Sequence, residues 1–573
     1  MSHAPIRRLT DMRSGPTSQP LHPARGRSLR SSRWLLCATI VSASALVIAA
    51  DAAPVDVGAL SAGGDVGPWP ATDFTLARGR DAHLPRSPAW YFADEYIAVP
   101  RDGIVATSIV PGTSVLGDIA RALHDATPPA APPMVWVGAT EVLHDARISE
   151  DGSRITADGR ARPLALVPKI PLNRSYFDAS SARFASTRAL TLRGESRDGA
   201  FVMRSLWPQD FALDASLPVT PLDAATPAAL AIRGLMRATP DGGAREPMAV
   251  RLLYSRDGAA RDWRGMPALL VMVNGAQGDD DEAWGGHFAI GTGIVGERGA
   301  IGDFIVDNFY SLDVESEKGI LAAPTPLDRY LGDLNSGQGW YRPSFLAIVV
   351  LDDTHAALAV QDAFNRMFLQ FWRHRLVYRH ATMNCTGISV DTLRALGLPV
   401  PSRGATSYGA AWLAVPYALA KYRSLDEART IYEYLTEDVT RLLPAAAFED
   451  TLATLLRLAR DGTAPGDGAL ASTLARDIAA IAVLRLPQWP SSRKFGSFPV
   501  VTPGEYFAKL PSDPADMVTV EVPPRPFPAA LRDPDVARDA ARRSDVALAV
   551  WAGIVAIALG YALRLIRRRR AAA

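Results

Sequence analysis

The sequence predicts an α+β protein. An antiparallel sheet carries a cysteine-bearing helix, a β-rich domain precedes it, and a helical region and a C-terminal transmembrane helix follow. Three observations carry this expectation. Apolar runs of strand length recur between turn residues from 249 to 351. Stretches with helical spacing follow at 354–373 and 385–397, then through most of 401–494. Residues 546–563 hold no charge and run into R-L-I-R-R-R-R.

The ends come first. The chain has 573 residues, 48% of them hydrophobic, enough for several domains and at least one large core. Its formal charge is +1, but residues 1–52 and 561–573 each carry +5, which leaves −9 for the body between them. An acidic body argues against nucleic acid, which selects a basic footprint. Arg25, Arg27, Arg30 and Arg33 precede an apolar run at 34–50, and Ala50-Asp51-Ala52 has an A-x-A cleavage pattern. Residues 1–52 therefore read as a signal peptide or an uncleaved N-terminal anchor. At the other end, 546–563 is long enough to span a bilayer, with Trp551 and Tyr561 near its ends and a basic tail at 564–573. By the positive-inside rule both basic ends stay cytoplasmic. The Ala-, Arg- and Pro-rich composition suggests a bacterial gene, so the expected location is the bacterial inner membrane with the body in the periplasm.

Within the body, 53–90 is rich in Ala, Gly, Pro and Asp and reads as a linker. Residues 91–244 read as a β-rich accessory domain. P-M-V-W-V-G-A-T-E-V (133–142) and T-R-A-L-T-L-R-G (187–194) are strand candidates, and 146–159 is a hairpin turning at Asp151-Gly152. Residues 245–400 hold the chemistry. A-V-R-L-L-Y-S (249–255), A-L-L-V-M-V-N (268–274), H-F-A-I-G-T-G-I-V (287–295), D-F-I-V-D-N-F-Y (303–310) and L-A-I-V-V-L (346–351) read as strands. Asp353 or Thr354 caps a helix to about 373, and a second helix starts near Cys385 and stops at Gly397, before Pro399. Residues 401–494 read as helical, and 495–545 as a Pro-rich linker.

Cys385 is one of two cysteines, and the other, Cys37, lies in the leader. An exported protein has no obvious use for an unpaired thiol unless it is buried packing or it reacts. At a helix N-terminus the unpaired N–H groups and the dipole favour thiolate, the nucleophilic form. The chain has nine histidines, at 3, 22, 83, 124, 144, 287, 355, 374 and 380. His287 opens a core strand after two glycines, and a base there facing a helix-start cysteine is the arrangement thiol catalysis needs. His380, five residues before Cys385, reads as a loop residue.

The strand start G-H-F-A-I, followed about a hundred residues later by N-C-T-G at a helix start, resembles the circularly permuted papain-like hydrolases of the NlpC/P60 group. Within that group it is most similar to the DUF4105 family, the Lnb N-terminal periplasmic domain. The resemblance covers 245–400. It implies a permuted papain-like core with Cys385 as nucleophile and His287 as general base. It also implies a third polar residue on the strand after the histidine, for which Asp303, Asp307 and Asn308 are the candidates. Asn384 is either a donor to the oxyanion or the helix N-cap.

The expected function is that of an envelope-anchored cysteine hydrolase or acyltransferase acting on a cell-wall peptide, lipid or protein. The alternative is an inactive membrane-anchored scaffold that binds a peptide or envelope partner. No cofactor or metal is expected. His374, His380 and Cys385 match no common metal spacing. G-T-G-I-V-G (291–296) lacks the helix a dinucleotide site requires. D-D-D-E (279–282) reads as a solvated loop.

Overall fold

The stretch expected to link the export signal to the body folds instead. In the computed structural model, β1 (Asp65–Val66) pairs with β2 (Trp69–Pro70), and β3 (Phe74–Arg78), β4 (Tyr96–Pro100) and β5 (Val135–Trp136) form a three-stranded sheet. Leu60, Val66, Trp69 and Phe74 are buried together with Val135 and Ile305. Two large aromatic rings supply the apolar area that holds a Gly- and Pro-rich segment in place. The structure describes residues 57–104, 113–124, 131–171, 173, 176–277, 285–314, 316, 318–491, 496, 498–502, 504, 505, 508, 513, 524–533 and 564.

The single strand expected over 133–142 is two strands. β5 ends at Trp136, Gly138 turns with φ 66°, and β6 begins at Glu141. β6 (Glu141–Ile148), β7 (Arg154–Ala157), β8 (Arg160–Leu166), β9 (Leu190–Arg197) and β10 (Ala200–Pro208) close into a barrel in the order β10-β8-β7-β6-β9. The β6–β7 turn is the expected one, with Asp151 accepting from the Ser153 N–H at 3.0 Å and Gly152 at φ 70°.

The main sheet has seven strands: β11 (Ala249–Ser255), β12 (Pro267–Asn274), β13 (His287–Ile294), β14 (Ile305–Asn308), β15 (Ala323–Pro326), β16 (Ser344–Leu351) and β17 (Ile478–Leu486). Their order is β11-β17-β16-β12-β13-β14-β15, and every pairing is antiparallel. β17 corrects the expectation of a helical region over 401–494. Its I-A-A-I-A-V-L-R-L is a plausible helix by propensity, but both of its faces are covered, and the slot between β11 and β16 overrides propensity.

Alternation sorts the central strands onto two cores. Leu269, Val271 and Val273 of β12 pack with the helices His355–Phe371, Cys385–Ala395 and Pro444–Asp461. Ala268, Leu270 and Met272 face the barrel and a cluster of Trp207, Trp340 and Trp489. The protein is thus α+β, and the barrel and the sheet share one core.

Among the described residues no helix is long and apolar enough to cross a membrane. The expected apolar spans at 34–50 and 546–563 and the acidic run 279–282 lie outside the described residues, as does most of the Pro-rich 495–545.

Candidate active site

The site is built where β13 begins. Gly286 has φ 79°, and a Cβ on it would lie 2.6 Å from the Asn274 carbonyl oxygen, so the chain enters β13 at this angle only as glycine. His287 then lies in register opposite Asn274 of β12 and is 6% exposed. The helix Cys385–Ala395 packs on the same strand.

That helix starts where it does because Asn384 caps it. Asn384 Oδ1 accepts from the Gly387 N–H at 2.8 Å. Its Nδ2 donates to the carbonyls of His380 at 2.9 Å and Leu442 at 3.1 Å. Both amide hydrogens are committed, so of the two roles open to Asn384 the structure assigns the cap. An oxyanion would find no free hydrogen on it.

Cys385 is buried, 5% exposed, at the first turn. Burial pushes its thiol up. The charge and hydrogen bond of His287 oppose this, with help from the Phe288 backbone N–H and the Thr386 hydroxyl, and together they bring the thiol down to about 6. The structure therefore brings together Cys385 and His287, residues 98 apart in the sequence.

It adds a residue that the sequence did not mark. The Cys385 N–H donates to the Tyr378 hydroxyl at 3.4 Å. Burial and the adjoining thiolate hold the phenol well above its ordinary range, so Tyr378 stays neutral. Its ring meets His380 edge-on at 5.3 Å and lies 6.1 Å from Tyr310. His380 is thus a neighbour of Tyr378.

The expected third residue is not assembled. His287 Nε2 is buried and no described side chain hydrogen-bonds it. Its neighbours are engaged elsewhere. Asn274 Oδ1 accepts from Tyr330 Oη at 2.6 Å and its Nδ2 donates to Ser344 Oγ at 2.7 Å, while the Tyr330 ring centre lies 6.2 Å from the imidazole. Asp303 precedes β14 and faces away from the site. It accepts from Gly63 N–H at 2.9 Å and from Arg193 at 3.2 Å. Asn308 donates to the Leu321 carbonyl at 3.0 Å. Asp307 pairs in register with Ile290 and accepts from Gln361 Nε2 at 2.9 Å, with Oδ2 left unbonded. The strand begins at Ile305, two residues later than expected, so Asp303 lies outside it.

Burial raises the Asp307 carboxyl well above the ordinary range, and the Gln361 bond only partly offsets this. A carboxyl raised on folding contributes most stability below its unfolded pKa of about 3.9 and loses it as pH rises through the folded value. Asp307→Asn is therefore expected to raise the Tm at pH 8 by a few °C, with a smaller gain at pH 4 and an unchanged Cys385 alkylation profile. A thermal scan at both pH values checks this.

Elsewhere, His374 bonds Asp313 at 3.3 Å and stacks on Phe527 at 4.6 Å. Among the described residues no group of His, Cys, Asp and Glu is placed to hold a metal ion. No family model, curated protein or solved structure matches the chain.

Proposed function

We propose that the chain is a thiol hydrolase or acyltransferase of the circularly permuted papain-like type, similar to the DUF4105 family and anchored at the bacterial inner membrane with its body in the periplasm. One observation carries the reading. Cys385 sits at a helix N-terminus and His287 holds its thiol near 6, a value suited to a nucleophile at neutral pH.

In this reading the Cys385 thiolate attacks an acyl carbon and a C–S bond forms. The carbonyl oxygen becomes an oxyanion and takes the Cys385 N–H in place of the Tyr378 hydroxyl. The His287 imidazolium gives its proton to the leaving amine or alkoxide as the C–N or C–O bond breaks. The neutral imidazole then takes a proton from water, an amine or an alcohol, which attacks the thioester and releases the thiolate. The substrate classes are cell-wall peptide amides, lipid acyl groups and protein termini.

A burst experiment tests it. The full chain mixed with p-nitrophenyl acetate is expected to release p-nitrophenolate in a rapid phase proportional to protein. An acetyl group should remain on Cys385, be removed by neutral hydroxylamine, and be missing from Cys385→Ser. A native chain that forms no such adduct would overturn the proposal.

A second reading, a scaffold that binds a peptide or envelope partner without turning it over, is favoured by the unbonded His287 Nε2. Among the described residues no carboxylate or amide bonds this nitrogen to fix the tautomer of the imidazole. A scaffold would hold the same partner with equal affinity in Cys385→Ala and leave it chemically unchanged.

A further inference from the structure

The helices Tyr408–Tyr422 and Leu425–Thr436 form a hairpin that shows its apolar side to the outside. Its inner contacts bury Ala418, Ala428 and Ile431, with Val415, Leu419 and Leu435 packed against them. Its outer surface carries Tyr408 at 63% exposure, Trp412 at 76%, Leu413 at 78% and, at the tip, Leu425 at 76%. At 100° per residue, Tyr408, Trp412, Leu413, Pro416 and Tyr417 fall on one half of the helix. A soluble surface helix has the reverse pattern. The exposure is not fraying, because both helices are capped. Ser407 Oγ accepts from Ala410 N–H at 3.0 Å and Ser424 Oγ from Glu427 N–H at 3.2 Å.

The charges around this face select its occupant. Residues 404–425 hold no Asp or Glu, and their only cations are Lys421 and Arg423 at the tip end. The Lys421 ammonium lies 5.2 Å from the Tyr417 ring and 4.9 Å from that of Tyr422, at the polar border of the apolar face. Of the acids beyond, Asp426 and Glu427 open the second helix, where its dipole accommodates them, and Glu433 pairs with Arg429 at 2.7 Å. A two-fold contact between copies would set this face against itself, with no acid in 404–425 to meet Lys421 and Arg423. An anionic lipid surface meets both needs: the headgroups take the cations, and Trp and Tyr rings settle at headgroup depth while Leu413 enters the acyl boundary.

We propose that the 408–432 hairpin is a membrane-docking surface that lies on an anionic bilayer through Trp412, Leu413 and Tyr417, with Lys421 and Arg423 on the lipid phosphates. This reading of the hairpin stands apart from the chemistry of Cys385 and does not depend on it.

The test uses the full chain with Leu413→Cys in a Cys37→Ser, Cys385→Ser background, labelled with a nitroxide and reconstituted in vesicles of phosphatidylcholine and phosphatidylglycerol. A label on Arg160→Cys, on the barrel, is the reference. The 413 label is expected to collide more with oxygen and far less with a water-soluble nickel chelate than the 160 label does. Adding Lys421→Glu and Arg423→Glu is expected to return nickel collisions to the 413 label. Equal nickel access at the two positions would overturn the proposal. Loss of both oxygen and nickel collisions with broadening between labels would also overturn it, in favour of a contact between two copies.

Discussion

In His287→Ala the pH midpoint of Cys385 alkylation is expected to move from about 6 to above the free-thiol value of about 8.5. The direction follows from the opposing influences on the sulfur. Burial raises the thiol, and the imidazole beside it is the main influence that lowers it. Removing the imidazole leaves burial opposed by the Phe288 N–H, the Thr386 hydroxyl and the helix N-terminus. The rate falls less than the thiolate population does, because a thiolate of higher pKa is intrinsically more nucleophilic, with a Brønsted slope of about 0.4–0.5. At pH 5.5 the net loss is expected to be on the order of tenfold, which makes the shifted midpoint the sharper readout. Iodoacetamide alkylation of both proteins from pH 5 to pH 10 measures it.

Arg193→Met is expected to be the most damaging single change to stability outside the site. Arg193 and Asp328 are both almost fully buried, and Nε of the arginine reaches the two carboxylate oxygens at 2.9 and 2.7 Å. The same guanidinium holds the Leu60 carbonyl at 2.8 Å and Asp303 at 3.2 Å, and Asp303 in turn holds the Gly63 N–H. Burial pushes the Asp328 carboxyl up to about 6 even with the arginine beside it. Without the arginine the carboxyl is buried and uncompensated, at a cost of about 3–5 kcal/mol. The urea midpoint should fall accordingly, and the 57–70 segment should become the first to be cut by protease. Pairing the change with Asp328→Leu should recover most of the loss, since replacing both charges removes the orphan.

Much of the sheet was legible in the sequence for a simple reason. β11, β12, β13 and β16 are short runs of apolar residues bounded by turns, and both faces of β12 and β16 are covered, so pattern and burial agree. The helix that begins at Cys385 was legible from its punctuation, with Asn384 before it and Gly397 after it at φ 84°. β17 was not, because Ala and Leu satisfy helix and buried strand alike and only its neighbours decide between them. Nor was the folded part of 53–90, where composition suggests a linker but Trp69 and Phe74 are buried.

In the site, Cys385 and His287 were legible because each stands at the start of an element with a marked boundary. The choice among Asp303, Asp307 and Asn308 was not legible, because it depends on where β14 begins: a start at Ile305 leaves Asp303 ahead of the strand, in an ion pair with Arg193. Tyr378 carries no local mark at all. It lies seven residues before the cysteine in a loop, and only the fold returns its hydroxyl to the helix start.

The most direct measurement is ultraviolet titration of the Cys385 thiolate in the native chain, taken as the absorbance near 240 nm of the wild type minus that of Cys385→Ser. A difference signal that rises with a midpoint near 6 is the expected result. A midpoint at or above the free-thiol value of about 8.5, or a signal that emerges only on unfolding, would contradict an activated Cys385–His287 pair and leave the cysteine as packing.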